Sequence, residues 1–134
     1  MATNTKPRFV VDNSVIMASL LQEPISTAKI IDSLSLYYSH KAIFYAPIIL
    51  PFEAGNVLHS CLLSHRITME KASELYKYFL RLPIKYITIP CNLIFKTCLA
   101  TNLTYYDATY LALSQKLHLP LLTLDKMLAS LPPL

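Results

Sequence analysis

The sequence predicts an α/β domain, a mainly parallel sheet of four to five strands flanked by helices in three layers. Three observations carry this. Short apolar runs rich in β-branched residues alternate with segments of helical periodicity along the chain. Those runs suit strands buried on both faces, as in a parallel sheet. Hydrophobic residues make up 54% of the 134, ample for one core, and no composition break divides residues 1–134 into more than one domain.

Arg8 to Val11 is a short apolar run ending at Asp12 and reads as a buried strand. Asn13 to Leu21 and Ile25 to Tyr38 have helical spacing, broken by Pro24. Ile43 to Ala46 is the second strand. Beyond Pro47 a long apolar helix runs from about Ile49 to Leu63, entered through Pro51. Thr68 to Leu82 is the most amphipathic segment, with Met69, Ala72, Tyr76 and Phe79 on one face and Lys71, Glu74, Lys77 and Arg81 elsewhere. Ile84 to Ile89 is the third strand, and Pro90 opens a helix over Asn92 to Thr101. Thr104 to Leu117 is helical, with Ala108, Leu111, Ala112 and Gln115 at helical spacing. Pro120 to Leu124 is a fourth strand ending at Asp125, followed by a short helix that stops before Pro132.

Gly55 is the only glycine. Dinucleotide fingerprints, P-loops and G-x-S-x-G nucleophile elbows each need at least two, so these mechanisms are excluded. Helices often end in a left-handed residue, usually Gly and sometimes Asn. Asn102 and His118 stand at two such ends, and Asn102 at least is expected to have positive φ.

The longest stretch without Asp, Glu, Lys or Arg runs from Ala54 to His65, short of the roughly 20 apolar residues of a membrane span. Met1 to Arg8 does not resemble a signal peptide. Cys61, Cys91 and Cys98 are odd in number and never form C-x-x-C, which reads as buried free thiols in a reducing cytoplasm. The Asn102-Leu103-Thr104 sequon reads as a chance match. Twelve basic and eight acidic residues leave a net charge of +4 with no polybasic run, which permits a polyanionic partner without establishing one.

The few acids are placed informatively. Asp12 and Asp125 each follow an apolar strand and precede a helix, and in an open parallel sheet the carboxyl ends of the strands face one ligand crevice. Asp107, in the first turn of its helix, can point toward the same edge. Asp12 and Asp125 also suit helix N-caps, worth about 1 kcal/mol each, and Thr104-x-x-Asp107 resembles a capping box. Glu53 lies in the apolar segment Ile48 to Ala54, where a charge is costly unless paired or metal-bound. Two carboxylates about 4 Å apart repel by about 4 kcal/mol at an effective dielectric near 20. Four converging acids are therefore expected to need a cation or protonation. An all-oxygen set favours Mg²⁺ or Mn²⁺, and the chemistry implied is phosphodiester hydrolysis.

Four segments carry a resemblance: Val10-Val11-Asp12-Asn13-Ser14, Glu53-Ala54-Gly55-Asn56-Val57-Leu58, Tyr106-Asp107-Ala108-Thr109-Tyr110-Leu111-Ala112-Leu113 and Leu122-Thr123-Leu124-Asp125-Lys126. In order, spacing and strand–helix placement the chain resembles the PIN-domain family, specifically the VapC-type ribonuclease toxins of toxin–antitoxin pairs. The resemblance implies a three-layer PIN-like fold and a cytoplasmic, Mg²⁺- or Mn²⁺-dependent endoribonuclease with one or two ions. Asp12, Glu53, Asp107 and Asp125 would form the site, with Asp12 and Asp107 the direct metal ligands. Ser14 and Thr123 would be hydroxyls bonding these carboxylates, and Asn56 would share a helix side with Glu53 and fix it. The partners implied are RNA and a small antitoxin.

Other residues have a surface or packing reading beside the functional one. Arg8, Lys85 and above all Lys126 suit phosphate contact or a solvated surface, as does the pair Lys77 and Arg81. Tyr105 and Tyr106 suit base stacking or packing. His59, Cys61 and His65 lie close in sequence, but residues 59 and 61 fall on different helix faces, against zinc binding. His40 and His118 read as surface residues. Leu20, Leu21, Tyr37, Tyr38 and the Met69–Phe79 face suggest covered surface, hence a homodimer; the small antitoxin that the resemblance implies would also supply cover. The rival reading is a non-catalytic PIN-like module that binds RNA or protein.

Overall fold

The computed structural model describes residues 5–131. Strand β1 (Arg8–Val11) leads into α1 (Asn13–Leu20), α2 (Ala28–Tyr38) and β2 (Ile43–Pro47). Next come α3 (Leu50–Leu63), α4 (Met69–Arg81) and β3 (Ile84–Ile87). The chain continues through α5 (Cys91–Ala100), α6 (Tyr105–Leu117), β4 (Leu121–Leu122) and α7 (Lys126–Ala129). The four strands form one parallel sheet in the order β3-β2-β1-β4. Val10 pairs with Tyr45 on one side and Leu121 on the other, so β1 is central, and Val10 and Val11 are fully buried. β2 and β3 lie to one side of β1 and β4 to the other. The connectivity thus reverses at β1/β4, which opens a crevice at their carboxyl ends.

The α/β alternation holds, with several boundaries moved for local reasons. Helix α2 begins three residues later than its periodicity suggests, because Pro24 to Thr27 stay non-helical and Thr27 is the extended N-cap. Strand β3 stops at Ile87, opposite Pro47, the last residue of β2. β4 contracts to two paired residues because Thr123 leaves the ladder to bond a side chain. Helix α6 is the core helix, buried at every position from Ala108 to Ser114. Helix α4 covers the core with Leu75 and Phe79, while Met69 is 67% exposed and does not belong to the buried face. Leu20 and Tyr37 are buried within the chain itself, Tyr37 stacked on Phe44 at 4.0 Å, so neither is free for a partner.

The expectation for Asn102 fails. Helix α5 ends through an extended Thr101, whose Oγ1 donates to the Thr97 carbonyl at 2.8 Å and so serves one of the last-turn carbonyls without a left-handed residue. His118 does adopt positive φ, at 53°. Gln22, His40 and His65 do the same, an outcome the sequence reading missed. At each of these four ends the following N–H reaches back over a turn, as Arg66 N–H to Cys61 O at 2.9 Å and Leu119 N–H to Ser114 O at 3.1 Å. The chain closes its helices in the manner that usually employs glycine, at roughly 1 kcal/mol per non-glycine residue. All three cysteines are free, but only Cys61 is buried; Cys91 is exposed and Cys98 half-buried. No helix among the described residues is long and apolar enough to cross a membrane.

Candidate active site

Asp12 stands at the end of the central strand, where the backbone leaves the ladder extended and turns into α1. Asp12 is 5% exposed, and its carboxylate accepts three hydrogen bonds. Ser14 Oγ donates to Oδ1 at 2.6 Å, Val15 N–H caps the helix onto the same oxygen at 3.3 Å, and Thr123 Oγ1 donates to Oδ2. Ser14 Oγ in turn accepts from Leu124 N–H at 2.9 Å, and Thr123 Oγ1 from Asp125 N–H at 3.0 Å. The β1–α1 and β4–α7 junctions are thereby tied together through one carboxylate. Burial raises the Asp12 pKa above its ordinary value of 3.8, opposed by the bonds from Ser14, Thr123 and Val15. Capping and site placement are the same fact here, since the N-cap position is what holds the carboxylate at the crevice.

Glu53 occupies the first turn of α3, behind Pro51. Tyr110 OH, 1% exposed, donates to its Oε1 at 2.5 Å. Burial raises the Glu53 pKa above 4.5; the Tyr110 bond opposes this, and the fields of Asp107 and Asp12 add to it. Burial and then Glu53 push the Tyr110 phenol far up, again with Asp12 and Asp107 contributing. Asp12 and Asp107 thus lie near enough for their charges to act on Glu53 and on Tyr110. Tyr110 was not singled out from the sequence. The available signal is its position three residues after Asp107, on the same side of α6.

Asp107 lies in the first turn of α6, half-buried. Its backbone N–H donates to the N-cap Thr104 Oγ1 at 3.2 Å, the forward half of the capping box. Its carboxylate accepts no hydrogen bond among the described residues. Asp125 behaves differently. It is exposed, and its Oδ1 accepts from Leu128 N–H at 3.0 Å as the N-cap of α7. Its field does not contribute to the raised values of Glu53 or Tyr110, and it touches the site through its N–H on Thr123. Among the described residues, no three His, Cys, Asp or Glu side chains gather closely enough to hold one metal ion together. Asp12 and Asp107 act on Glu53 through their charges, and Asp125 caps its own helix.

A cleft of about 320 Å³ opens beside Glu53, lined also by Asn13, Phe52, Asn56 and Tyr106. Asn13 Oδ1 is buried without a partner, a state costing about 1–3 kcal/mol. Asn56 shares the cleft with Glu53 as its spacing implies but does not bond it; Tyr110 fixes Glu53 instead. A larger groove of about 730 Å³ lies away from the acids, between the end of α1 and α4, and carries Lys71, Lys77 and Arg81. Arg8, Lys85 and Lys126 are exposed, and the ion pair found among the described residues, Arg66 with Glu23 at 3.9 Å, involves none of them. His59 and His65 are exposed while Cys61 is buried, so the three do not meet.

No family model matches the sequence. Solved structures share its fold. PAE2754 from Pyrobaculum aerophilum superposes with a TM-score of 0.70 at 23% identity, covering 92% of this chain and 85% of that one. VapC20 of Mycobacterium tuberculosis, a Sarcin-Ricin loop cleaving toxin, gives 0.60 at 16% identity, covering 91% and 93%. FitAcB from Neisseria gonorrhoeae gives 0.52 at 14%, covering 90% of each. The class is thus an α/β PIN-like domain with a four-stranded parallel sheet. Ribonuclease VapC1 of Mycobacterium tuberculosis is 36% identical over 95 residues, spanning 70% of this chain and 71% of that protein. The chain belongs to the VapC ribonuclease family.

Proposed function

We propose that this chain is a cytoplasmic, divalent-metal-dependent endoribonuclease and the toxin of a toxin–antitoxin pair. The observation that carries it is the position of Asp12 at the carboxyl end of the central strand, with Glu53 and Asp107 in the first turns of two helices. The donor set is entirely oxygen and suits Mg²⁺ or Mn²⁺. Such ions commonly take one or two carboxylates and complete their shell with water and phosphate, so a site lacking three tightly gathered acids fits them. Asp12 and Asp107 would hold the ion, with Glu53 and Asp125 completing the set for one ion or two. When bound, such an ion supplies positive charge to the scissile phosphate and acidifies water.

The chain's own groups do the rest. Ser14 and Thr123 aim Asp12 and favour its charged form against burial, Tyr110 holds Glu53 and does the same for its carboxylate, and Asp107 accepts no hydrogen bond among the described residues. Lys126 and Arg8, exposed and unpaired by acids, would meet the RNA backbone. Phe95, Leu99 and Leu63, each more than half exposed, are apolar surface that a homodimer or a small antitoxin would cover.

Cleavage of a mixed cellular RNA pool with Mg²⁺ or Mn²⁺, against a chelator, tests this. Cutting by the wild type, lost in chelator and in Asp107→Asn, is the expected result. Metal-independent RNA or protein binding without cutting, by folded protein, would replace the proposal with a non-catalytic binding module.

A further inference from the structure

The cleft beside Glu53 has walls that phosphodiester chemistry does not use. Phe52 and Tyr106, from the first turns of α3 and α6, are 73% and 56% exposed, yet both face this one cleft. Asn13 and Asn56 line it with them. Asn13 Oδ1 is buried without a hydrogen-bond partner among the described residues, and Asn56 is exposed. Aromatic faces stack on unpaired bases, and an amide offers both a donor and an acceptor to a base edge. At about 320 Å³ the cleft lies at the small end of the roughly 300–1,000 Å³ of ligand sites, room for a base rather than for a partner's helix. It adjoins the acids, because Glu53 lines it and Tyr106 precedes Asp107 in sequence.

We infer that the cleft between Phe52 and Tyr106 is a subsite for one unpaired nucleobase next to the scissile phosphate, with Asn13 and Asn56 reading its edge. The substrate is then single-stranded RNA selected at one nucleotide, an inference that rests on the ribonuclease reading above. A contact between two protein copies fits less well, since it would cover two amides and a carboxylate with no partner for them.

The test has a binding arm and a cleavage arm. In the first, a short single-stranded RNA carrying 2-aminopurine is titrated with Asp107→Asn protein in Mg²⁺, which keeps the RNA uncut. The base fluorescence is expected to be quenched. Adding Phe52→Ala or Tyr106→Ala should weaken binding roughly tenfold or more, Tyr106→Phe should bind like its parent, and a duplex of the same sequence should not compete. In the second, sequencing of fragment ends from wild-type digestion should show one favoured base beside the cut, flattened by Asn13→Ala. RNA that binds without quenching, or alanine variants that bind like the parent, would overturn the subsite even if the wild type cuts RNA. Quenching with no cutting would instead remove the ribonuclease reading and leave the base site standing. Dimers that dissociate in sedimentation on Phe52→Ala or Tyr106→Ala would make these rings a subunit contact and end the proposal.

Discussion

The two sides of the acidic crevice are built on opposite plans. On the sheet side, Asp12 is almost fully buried and accepts three hydrogen bonds, from Ser14, Val15 and Thr123. On the helix side, Asp107 accepts none among the described residues, and the cleft beside Glu53 is lined by the exposed rings of Phe52 and Tyr106 with Asn13 and Asn56. The first arrangement fixes a charge in place. The second leaves groups free to meet something arriving from solvent. A carboxylate that must stay ionised in a buried position needs donors around it, whereas one meant for an external partner is best left unsaturated.

The largest expected effect breaks this comparison at its chemistry. Asp107→Asn should lower RNA cleavage by roughly a hundredfold or more while melting within a few degrees of the wild type, because no internal bond is lost. If unfolding accompanies the loss, Asp107 is a structural residue. Asp12→Ala should lose cleavage and also about 2–4 kcal/mol of stability in a denaturant titration, since Ser14, Val15 and Thr123 are left with unmet donors. Asp12→Asn, which keeps one acceptor, should lose cleavage and cost far less. Equal stability of Asp12→Ala and wild type would show that the sheet side is not anchored as described.

Thr123→Val sharpens the same contrast. It removes a donor to Asp12 and an acceptor for Asp125 N–H, and should cost about 1–2 kcal/mol with a ten- to hundredfold fall in cleavage. The smallest effect is in pH dependence. Glu53 has a raised pKa in the folded state, so its neutral form favours folding. The stability this contributes is complete below its ordinary value of 4.5 and is lost as pH rises through the raised value. Thermal melts of wild type against Glu53→Gln, which still accepts from Tyr110, should therefore agree near pH 4 and diverge above it, with the variant the more stable. Added Mn²⁺ should close that gap. A difference independent of pH would mean that Glu53 is not under the field of its neighbours.

Much of this was legible because it is local. Asp12 and Asp125 follow strands and precede helices, so their N-cap bonds to Val15 and Leu128 stay within one turn. Thr104 likewise caps the helix that carries Asp107. What was missed or misjudged involves competition or distance. Asn102 was a sound candidate for a left-handed end, but Thr101 served a carbonyl from its own side chain first. Met69 fitted the apolar stripe of α4, yet the helix meets the core through Leu75, Tyr76 and Phe79 and leaves Met69 exposed.

The sequence by itself determined the α/β class, the capped helix starts and the placement of acids at strand ends and first helical turns, because hydrogen bonds within a turn and the periodicity of burial are written in neighbouring residues. Only the tertiary structure decided which acids meet. Thr123 reaches Asp12 across 111 residues and Tyr110 reaches Glu53 across 57, and both depend on the strand order β3-β2-β1-β4. The same packing set Phe52 and Tyr106 around one cleft, an outcome of geometry between elements that no spacing along the chain encodes.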